Sequence, residues 1–373
     1  MYGPFDGERI LKYMKMTFRW YGKDDPVTLS QIRQIPGMTG VVTALYDVPV
    51  GEVWPENSIF ALKKACEDAS LKMQVIESVP VHEDIRLGRP GRDRLIANYA
   101  ETIRRLGRAG VKCVCYNFMP VFDWVRTDLH REAADGSRSL AYEHAALSSA
   151  DPTALHLPGW DESYEKSQLR TLLEAYRHID HDTLFDHLVY FLRGIMPACN
   201  EAGVDMAIHP DDPPWDLFGL PRIITGREGL KRLFDAVPDP HNGLTFCTGS
   251  LGASPENDLV SLASEFAPRI KFAHLRQIRR QGERDFYECG HMTDMGSLDM
   301  YGIVLALCRS GFDGYVRPDH GRDIWGEHGR PGYGLYDRAL GAMYLSGLFE
   351  GVKKSLCPSS RQKTGCSTAS LGF

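Results

Sequence analysis

Apolar runs enriched in β-branched and aromatic residues recur along this 373-residue chain, alternating with stretches whose apolar positions fall at helical spacing. The runs are Met16–Trp20, Gly40–Ala44, Met73–Val79, Val111–Tyr116, Val204–Ile208, Leu244–Cys247, Ile270–Ala273 and Gly314–Arg317, eight segments of strand length. Helices are predicted near Leu29–Gln34, Ser58–Ala69, Arg92–Arg108, Asp182–Ala202, Arg227–Ala236, Glu256–Phe266, Leu298–Arg309 and Tyr336–Gly351. Several carry start and stop signals: Asn57 and Ser58 lead into one, Gly110 follows another, and Asp182 opens a third that Gly203 closes. Eight such alternations predict an α/β fold of the (β/α)8 type, a TIM barrel, over an open doubly wound sheet.

The alternation is interrupted once. Residues 117–180 form a long, aromatic and polar insertion after the fourth strand, broken by Pro120, Pro152 and Pro158. On a barrel, its position after a strand puts it on the catalytic face. Residues 14–352 therefore read as a single catalytic domain that includes this insertion. Residues 1–13 read as an N-terminal extension, and residues 353–373 as a flexible tail rich in Ser, Thr, Gly and Lys.

Composition narrows the function. A hydrophobic content of 43% is enough for a sizeable core, while a net charge of −6 gives no electrostatic reason to bind nucleic acid or an anionic membrane. A small anionic substrate would need locally placed arginines. Asp6, Glu8, Arg9, Lys12 and Lys15 interrupt any secretory core in residues 1–22, and no apolar run approaches a membrane span, so a cytoplasmic protein is expected. The nine cysteines are scattered and lack a CxxC pair. They read as reduced thiols, with Cys113 and Cys115 packed in a strand.

The chemistry-bearing residues gather at strand ends. Alternate strand positions share a face, so Tyr315, Arg317 and Asp319 would point one way and Val316 and Pro318 the other. The fifth to eighth strands each finish on a residue able to bind a metal: His209, Cys247, His274 and Asp319. Each alone has a structural explanation as a packed histidine, a core thiol or a capping carboxylate. Together, around the C-terminal mouth of one barrel, they form a ligand set for a divalent cation, which softness alone would make zinc. Arg276, Arg317 and Arg322 are placed either to hold a substrate carboxylate or to neutralise Asp211, Asp212 or Asp319. His320, next to Asp319, and Tyr333, flanked by Gly332 and Gly334, are candidates for proton transfer, with His291 a third. Phosphate-loop, dinucleotide, nucleophile-elbow and HExxH signatures are absent from the sequence.

Longer segments carry a resemblance. Met16–Gly22, Ile35–Gly40, Tyr46–Gly51, Val75–Asp84, Cys115–Trp124, His209–Trp215, Arg317–Arg322 and Pro331–Arg338 resemble, in order, those of the mannonate dehydratase family. The similarity runs from about Met14 to Gly351. It implies a xylose-isomerase-like barrel that dehydrates D-mannonate to 2-keto-3-deoxy-D-gluconate. It further implies Mn2+ or Fe2+, one ion per subunit, at the positions of His209, Cys247, His274 and Asp319, with His320 and Tyr333 in proton transfer. The metal differs from the softness choice, and the resemblance is followed because geometry and supply often decide among first-row ions. After His274 the chain reads Leu-Arg-Gln where Thr-Arg-Asn is the expected pattern.

The expected mechanism removes a proton at C2 beside a carboxylate and expels the C3 hydroxyl, with His320 and Tyr333 sharing the base and acid roles and Arg276, Arg317 or Arg322 holding the carboxylate. A homo-oligomer, with a dimer favoured, is expected. A metal-dependent sugar isomerase on the same barrel and a non-enzymatic sugar-acid binding protein are the rival readings, and a barrel-type DNA repair nuclease is disfavoured by the acidic balance.

Overall fold

A computed structural model describes residues 14–148 and 166–356. The expected N-terminal extension, residues 149–165 of the insertion and residues 357–373 of the expected tail lie outside the described residues. Twelve strands are described: β1 (Lys15–Arg19), β2 (Gly40–Thr43), β3 (Lys72–Glu77), β4 (Cys113–Tyr116), β5 (Asp128–Glu132), β6 (Arg138–Tyr142), β7 (Asp205–Ile208), β8 (Asn242–Cys247), β9 (Ile270–His274), β10 (Ile278–Arg280), β11 (Phe286–Glu288) and β12 (Tyr315–Arg317). Eight of them close a parallel barrel in the order β1-β12-β9-β8-β7-β4-β3-β2.

Two apolar layers hold this barrel. One face of the strands packs inward as a small cluster of Val42, Val75, Cys113, Cys115, Ala207, Phe272 and Tyr315. The intervening residues, such as Val41, Val114, Ala273 and Val316, pack outward in the large core with the helices. The period of two is what sorts them. Both Cys113 and Cys115 are buried free thiols inside the barrel, as their strand position suggested.

The helices follow the expected order. Helix Arg92–Arg108 buries Leu95, Ile96, Tyr99, Ala100, Ile103 and Leu106 at helical spacing and packs against helix His181–Ala202. The latter is capped by Asp180, whose side chain accepts from the Thr183 N–H, and not by Asp182 as expected; it ends at Gly203, whose φ of 61° suits a glycine. Among the described residues no helix is long and apolar enough to cross a membrane.

The insertion holds more order than its sequence suggests. Strands β5 and β6 join β10 and β11, from the excursion after β9, in an antiparallel sheet ordered β10-β11-β6-β5. Phe286 of β11 pairs with Tyr142 of β6, their rings stacked at 5.5 Å, and Trp215 packs beside them. These strands have three to five residues and mixed polarity, DLHRE in β5 and IRR in β10, so no periodicity announces them. Helix Lys166–Tyr176 completes the described part of the insertion.

Candidate active site

Strand parity sets the mouth. Two residues beyond the inward-packed Val75, Ala207, Phe272 and Tyr315, the same face carries Glu77, His209, His274 and Arg317. An apolar barrel interior thus opens into a charged cavity of about 110 Å³. Its wall includes His209, Asp212, Arg276, Asp319, His320 and Tyr333, together with Arg19, Glu77, Asn117, Asp123 and Trp124. Asp319 arrives differently from its neighbours. β12 ends at Arg317, and a left-handed backbone at Asp319, with φ of 67°, turns its side chain to the mouth. Such a conformation costs about 1–2 kcal/mol for a residue with a Cβ and is concentrated at functional sites.

The expected ligand residues converge. One donor atom each from His209, Cys247 and His274 lies within 4.8 Å of the others. Asp319 Oδ2 stands 3.7 Å from Cys247 Sγ, and Asp319 Oδ1 3.7 Å from His274 Nδ1. Their surroundings fit cation binding. His209 Nδ1 donates to the Pro210 carbonyl at 2.7 Å, leaving Nε2 free to ligate. The Ser250 hydroxyl lies 3.1 Å from Cys247 Sγ. Burial first, then the Arg317 charge, push the His274 pKa well below its usual value, so it is the neutral imidazole a metal needs. Burial opposes protonation of His209, but Cys247, Asp319 and Glu77 outweigh it and lift its pKa to about 9, a sign of the negative field in which it sits. Burial likewise opposes ionisation of Asp319, yet Arg317, His320 and Arg276 hold its carboxyl well below the usual range.

A second donor group, Glu77, Cys115 and His274, also falls within 4.8 Å. Arg317 Nη2 lies 2.9 Å and Arg19 Nη1 3.4 Å from the Glu77 carboxylate, and these two guanidiniums already supply the positive charge there. The group is a poorer cation site for that reason.

Beside the ligands stands a relay. His320 Nε2 is 2.9 Å from the Tyr333 hydroxyl, and its Nδ1 is 2.9 Å from Glu288 Oε1. Nδ1 faces Glu288, which only accepts, and Arg276 Nη1 at 2.7 Å, which only donates; with Nδ1–H on Glu288, Nε2 accepts from Tyr333, and with Nδ1 accepting from Arg276, Nε2–H donates to Tyr333. Arg276 Nη1 lies against the same ring edge and reaches Glu288 at 3.2 Å and Asp319 at 3.2 Å. Burial pushes the Tyr333 phenol well above its ordinary pKa and keeps it protonated. Gly332 permits this approach: with φ of 80°, a Cβ there would lie 2.8 Å from Leu140 and 3.4 Å from His320.

The three expected carboxylate-binding arginines part company. Arg276 lines the cavity but also pairs with Asp212 at 2.8 Å, and Arg317 lines it while pairing with Asp319 at 2.8 Å. Arg322 is a correction. Strand parity no longer applies after β12, and its side chain turns to Asp337 at 2.9 Å and Asp135 at 3.2 Å, away from the cavity. Asp211 is held by Arg222 and by the Ile223 and Ile224 N–H groups. His291 is a structural residue, its Nε2 2.8 Å from the Asp337 carbonyl. Gln277 is equally structural, bonded to Leu298 through both ends of its amide.

Comparison with known proteins identifies the architecture. The model of the family D-mannonate dehydratase (UxuA) matches residues 14–358. A mannonate dehydratase of Thermotoga petrophila is 55% identical over 356 residues, covering 91% of this chain and 98% of the relative, and one of Streptococcus uberis is 53% identical over 346 residues, covering 92% and 99%. The crystal structure of mannonate dehydratase from Streptococcus suis serotype 2 superposes with a TM-score of 0.87 at 48% identity, over 92% of this chain and 96% of that one. The chain belongs to the mannonate dehydratase family. Barrels such as a D-psicose 3-epimerase from Clostridium cellulolyticum H10, with a TM-score of 0.55 at 13% identity over 91% and 99% of the chains, share only the xylose-isomerase-like fold.

Mannonate dehydratases are metal-dependent hydro-lyases, and the donor group above is this chain's candidate for the ion. Several buried groups of this mannonate dehydratase barrel escaped the sequence reading. Arg126, whose side chain is fully buried, forks onto Asp212 at 2.9 and 3.1 Å and onto Glu288 at 2.9 Å, so the carboxylate behind His320 is itself clamped. Glu288 lies on a three-residue strand with no recognisable pattern. Arg19 and Glu77 were within reach: parity, carried to β1 and β3 as it was to the last four strands, places both at the mouth.

Proposed function

We propose that this protein dehydrates D-mannonate to 2-keto-3-deoxy-D-gluconate, with His209, Cys247, His274 and Asp319 holding Mn2+ or Fe2+. The observation that carries the reading is the convergence of those donors beside the His320–Tyr333 pair, in a chain half identical to mannonate dehydratases along nearly its whole length. A bound ion supplies Lewis acidity toward the substrate carboxylate and its neighbouring oxygen.

The remaining work falls to side chains. His320 Nε2, its other nitrogen committed to Glu288, takes the C2 proton, and the Tyr333 hydroxyl protonates the departing C3 hydroxyl. Arg276 and Arg317, fixed by carboxylates, present positive charge to the substrate carboxylate without having to reorganise. Residues 14–352 act as the catalytic domain in the cytoplasm, in a homodimer that light scattering tests. The exposed Trp325, Tyr336 and Leu340 are apolar side chains suited to such a contact.

The deciding experiment strips the metal, adds D-mannonate and restores Mn2+, Fe2+ or Zn2+ separately, following the keto acid. Formation of a 2-keto-3-deoxy acid with Mn2+ or Fe2+ is expected. An aldose and ketose mixture would signal an isomerase, bound but unconsumed mannonate a binding protein, and inactivity with every ion would end the proposal.

A further inference from the structure

Behind the relay lies a charged side chain that the proton transfers leave unused. Arg126 belongs to the insertion, and its backbone neighbours tie it to both parts of the fold: the Val125 N–H donates to the Asp212 carbonyl and the Thr127 N–H to the Ala141 carbonyl of β6. The side chain is fully buried and is not part of the cavity wall, so it reaches no substrate. All five of its N–H groups are nonetheless committed. Nη1 donates to Asp212 Oδ1 at 2.9 Å and to the Val125 carbonyl at 2.8 Å, Nη2 to Asp212 Oδ2 at 3.1 Å and Glu288 Oε1 at 2.9 Å, and Nε to Glu288 Oε1 at 3.2 Å.

Both carboxylates hold a second cation, Arg276, which lies 2.8 Å from Asp212 and 3.2 Å from Glu288. The four side chains thus close a ring of alternating charge, none more than 3% exposed. Two working groups of the mouth hang from this ring. Glu288 faces His320 Nδ1 at 2.9 Å, and Arg276 lines the cavity. Without Arg126 both carboxylates would fall to Arg276 alone, drawing it back from the cavity and turning Glu288 away from His320. We propose that Arg126 is a positioning residue for the dehydration, fixing His320 through Glu288 and Arg276 through Asp212. The fork is the required feature and not the charge alone, since lysine is a point charge with three donors and cannot hold two carboxylates in one plane. This rests on the reading above of His320 as proton carrier and Arg276 as carboxylate holder.

The test follows D-mannonate turnover by the full-length, Mn2+-loaded enzyme in wild type, Arg126→Lys, Glu288→Gln, Asp212→Asn and the double variant Arg126→Lys/Glu288→Gln. Arg126→Lys should keep wild-type metal content while kcat falls by about 10- to 100-fold, the cost of a displaced catalytic group, and KM rises by about tenfold. The two arms should separate: Glu288→Gln lowers kcat with little change in KM, and Asp212→Asn raises KM by about tenfold with a smaller change in kcat. In the double variant kcat should stay within about threefold of the lower single variant, because one path is cut twice. Losses that multiply overturn the proposal. So does an Arg126→Lys enzyme that melts earlier but keeps wild-type kcat and KM per metal-loaded site, the result of a structural role alone. Should Arg126→Lys not fold, the charge-balanced Arg126→Met/Glu288→Gln decides: it must combine the kcat of Glu288→Gln with the raised KM of Asp212→Asn, and absence of either overturns the proposal. A wild type that leaves D-mannonate untouched would instead overturn the dehydratase reading, and Arg126's role with it.

Discussion

Within one ring of strands, the mouth is assembled in two ways. On the side of β7, β8, β9 and β12, most charged atoms meet a partner: Asp212 with Arg126 and Arg276, Asp319 with Arg317 and Arg276, His320 with Glu288 and Tyr333. At β1, the neighbour of β12, and at β3, Arg19 and Glu77 meet mainly each other and Arg317, and Arg19 Nε, Arg19 Nη1 and Glu77 Oε2 keep no hydrogen bond, as is true of Arg276 Nε and Arg317 Nη1 nearer the ligands. The first arrangement is stiff before anything binds, as an electrostatic catalyst should be, because partners set the orientation of each group in advance. The second leaves polar atoms buried without a hydrogen bond, which makes it the less tightly determined part of the mouth.

The steepest contrast comes from the ligand side. Cys247→Ala or Asp319→Asn should leave little bound metal by elemental analysis and lower dehydration by about a thousandfold or more. Chelation of the wild type should match this loss and be reversed by Mn2+. Next come His320→Ala and Tyr333→Phe, each expected to retain metal while kcat falls by about 10²- to 10⁴-fold. Wild-type turnover in either would remove it from the relay. Glu288→Gln removes the charge that orients His320 and pairs with Arg126 and Arg276, so steady-state kinetics should show kcat down by about 10- to 100-fold with little change in KM. A change confined to KM would instead place Glu288 in substrate binding.

The smallest catalytic effect belongs to Arg322, outside both walls. Arg322→Ala should keep kcat/KM within about twofold while urea unfolding shows about 1–3 kcal/mol less stability, since Asp337 loses a buried partner. Burial works against ionisation of Asp337, but His291 and Arg322 outweigh it and hold the carboxyl well below its ordinary value. A lowered folded-state pKa contributes stability that is present above the unfolded value of about 4 and is lost as pH falls through the folded one. Without Arg322 that depression shrinks, so the acid-unfolding midpoint should move to higher pH.

What the sequence revealed follows from where regular periodicity operates. All eight barrel strands were legible because both their faces are apolar over several residues, and the ligand positions followed because His209, Cys247 and His274 lie at or one residue beyond the ends of β7, β8 and β9. Periodicity says nothing of strands as short as β10 and β11, so the sheet that delivers Glu288 went unseen, and with it the reason for Arg126. Arg322 was grouped with the mouth only because it follows in the loop, and it turns to Asp337 and Asp135 instead; the strand rule itself was carried past Arg317, where the strand has ended, to Asp319. Asp319 was placed correctly through the same rule for a different cause, its left-handed turn.

That turn has a consequence for how the site can vary. A regular strand would send Asp319 and His320 to opposite sides, yet here both serve the mouth. Ion holder and proton carrier are consecutive residues, their Cα atoms about 3.8 Å apart across one peptide unit. Their separation is therefore covalent in origin, and loosening of the surrounding packing cannot stretch it. Drift in the barrel would carry the two Cα atoms together, and what then aligns the side chains is the left-handed turn at Asp319.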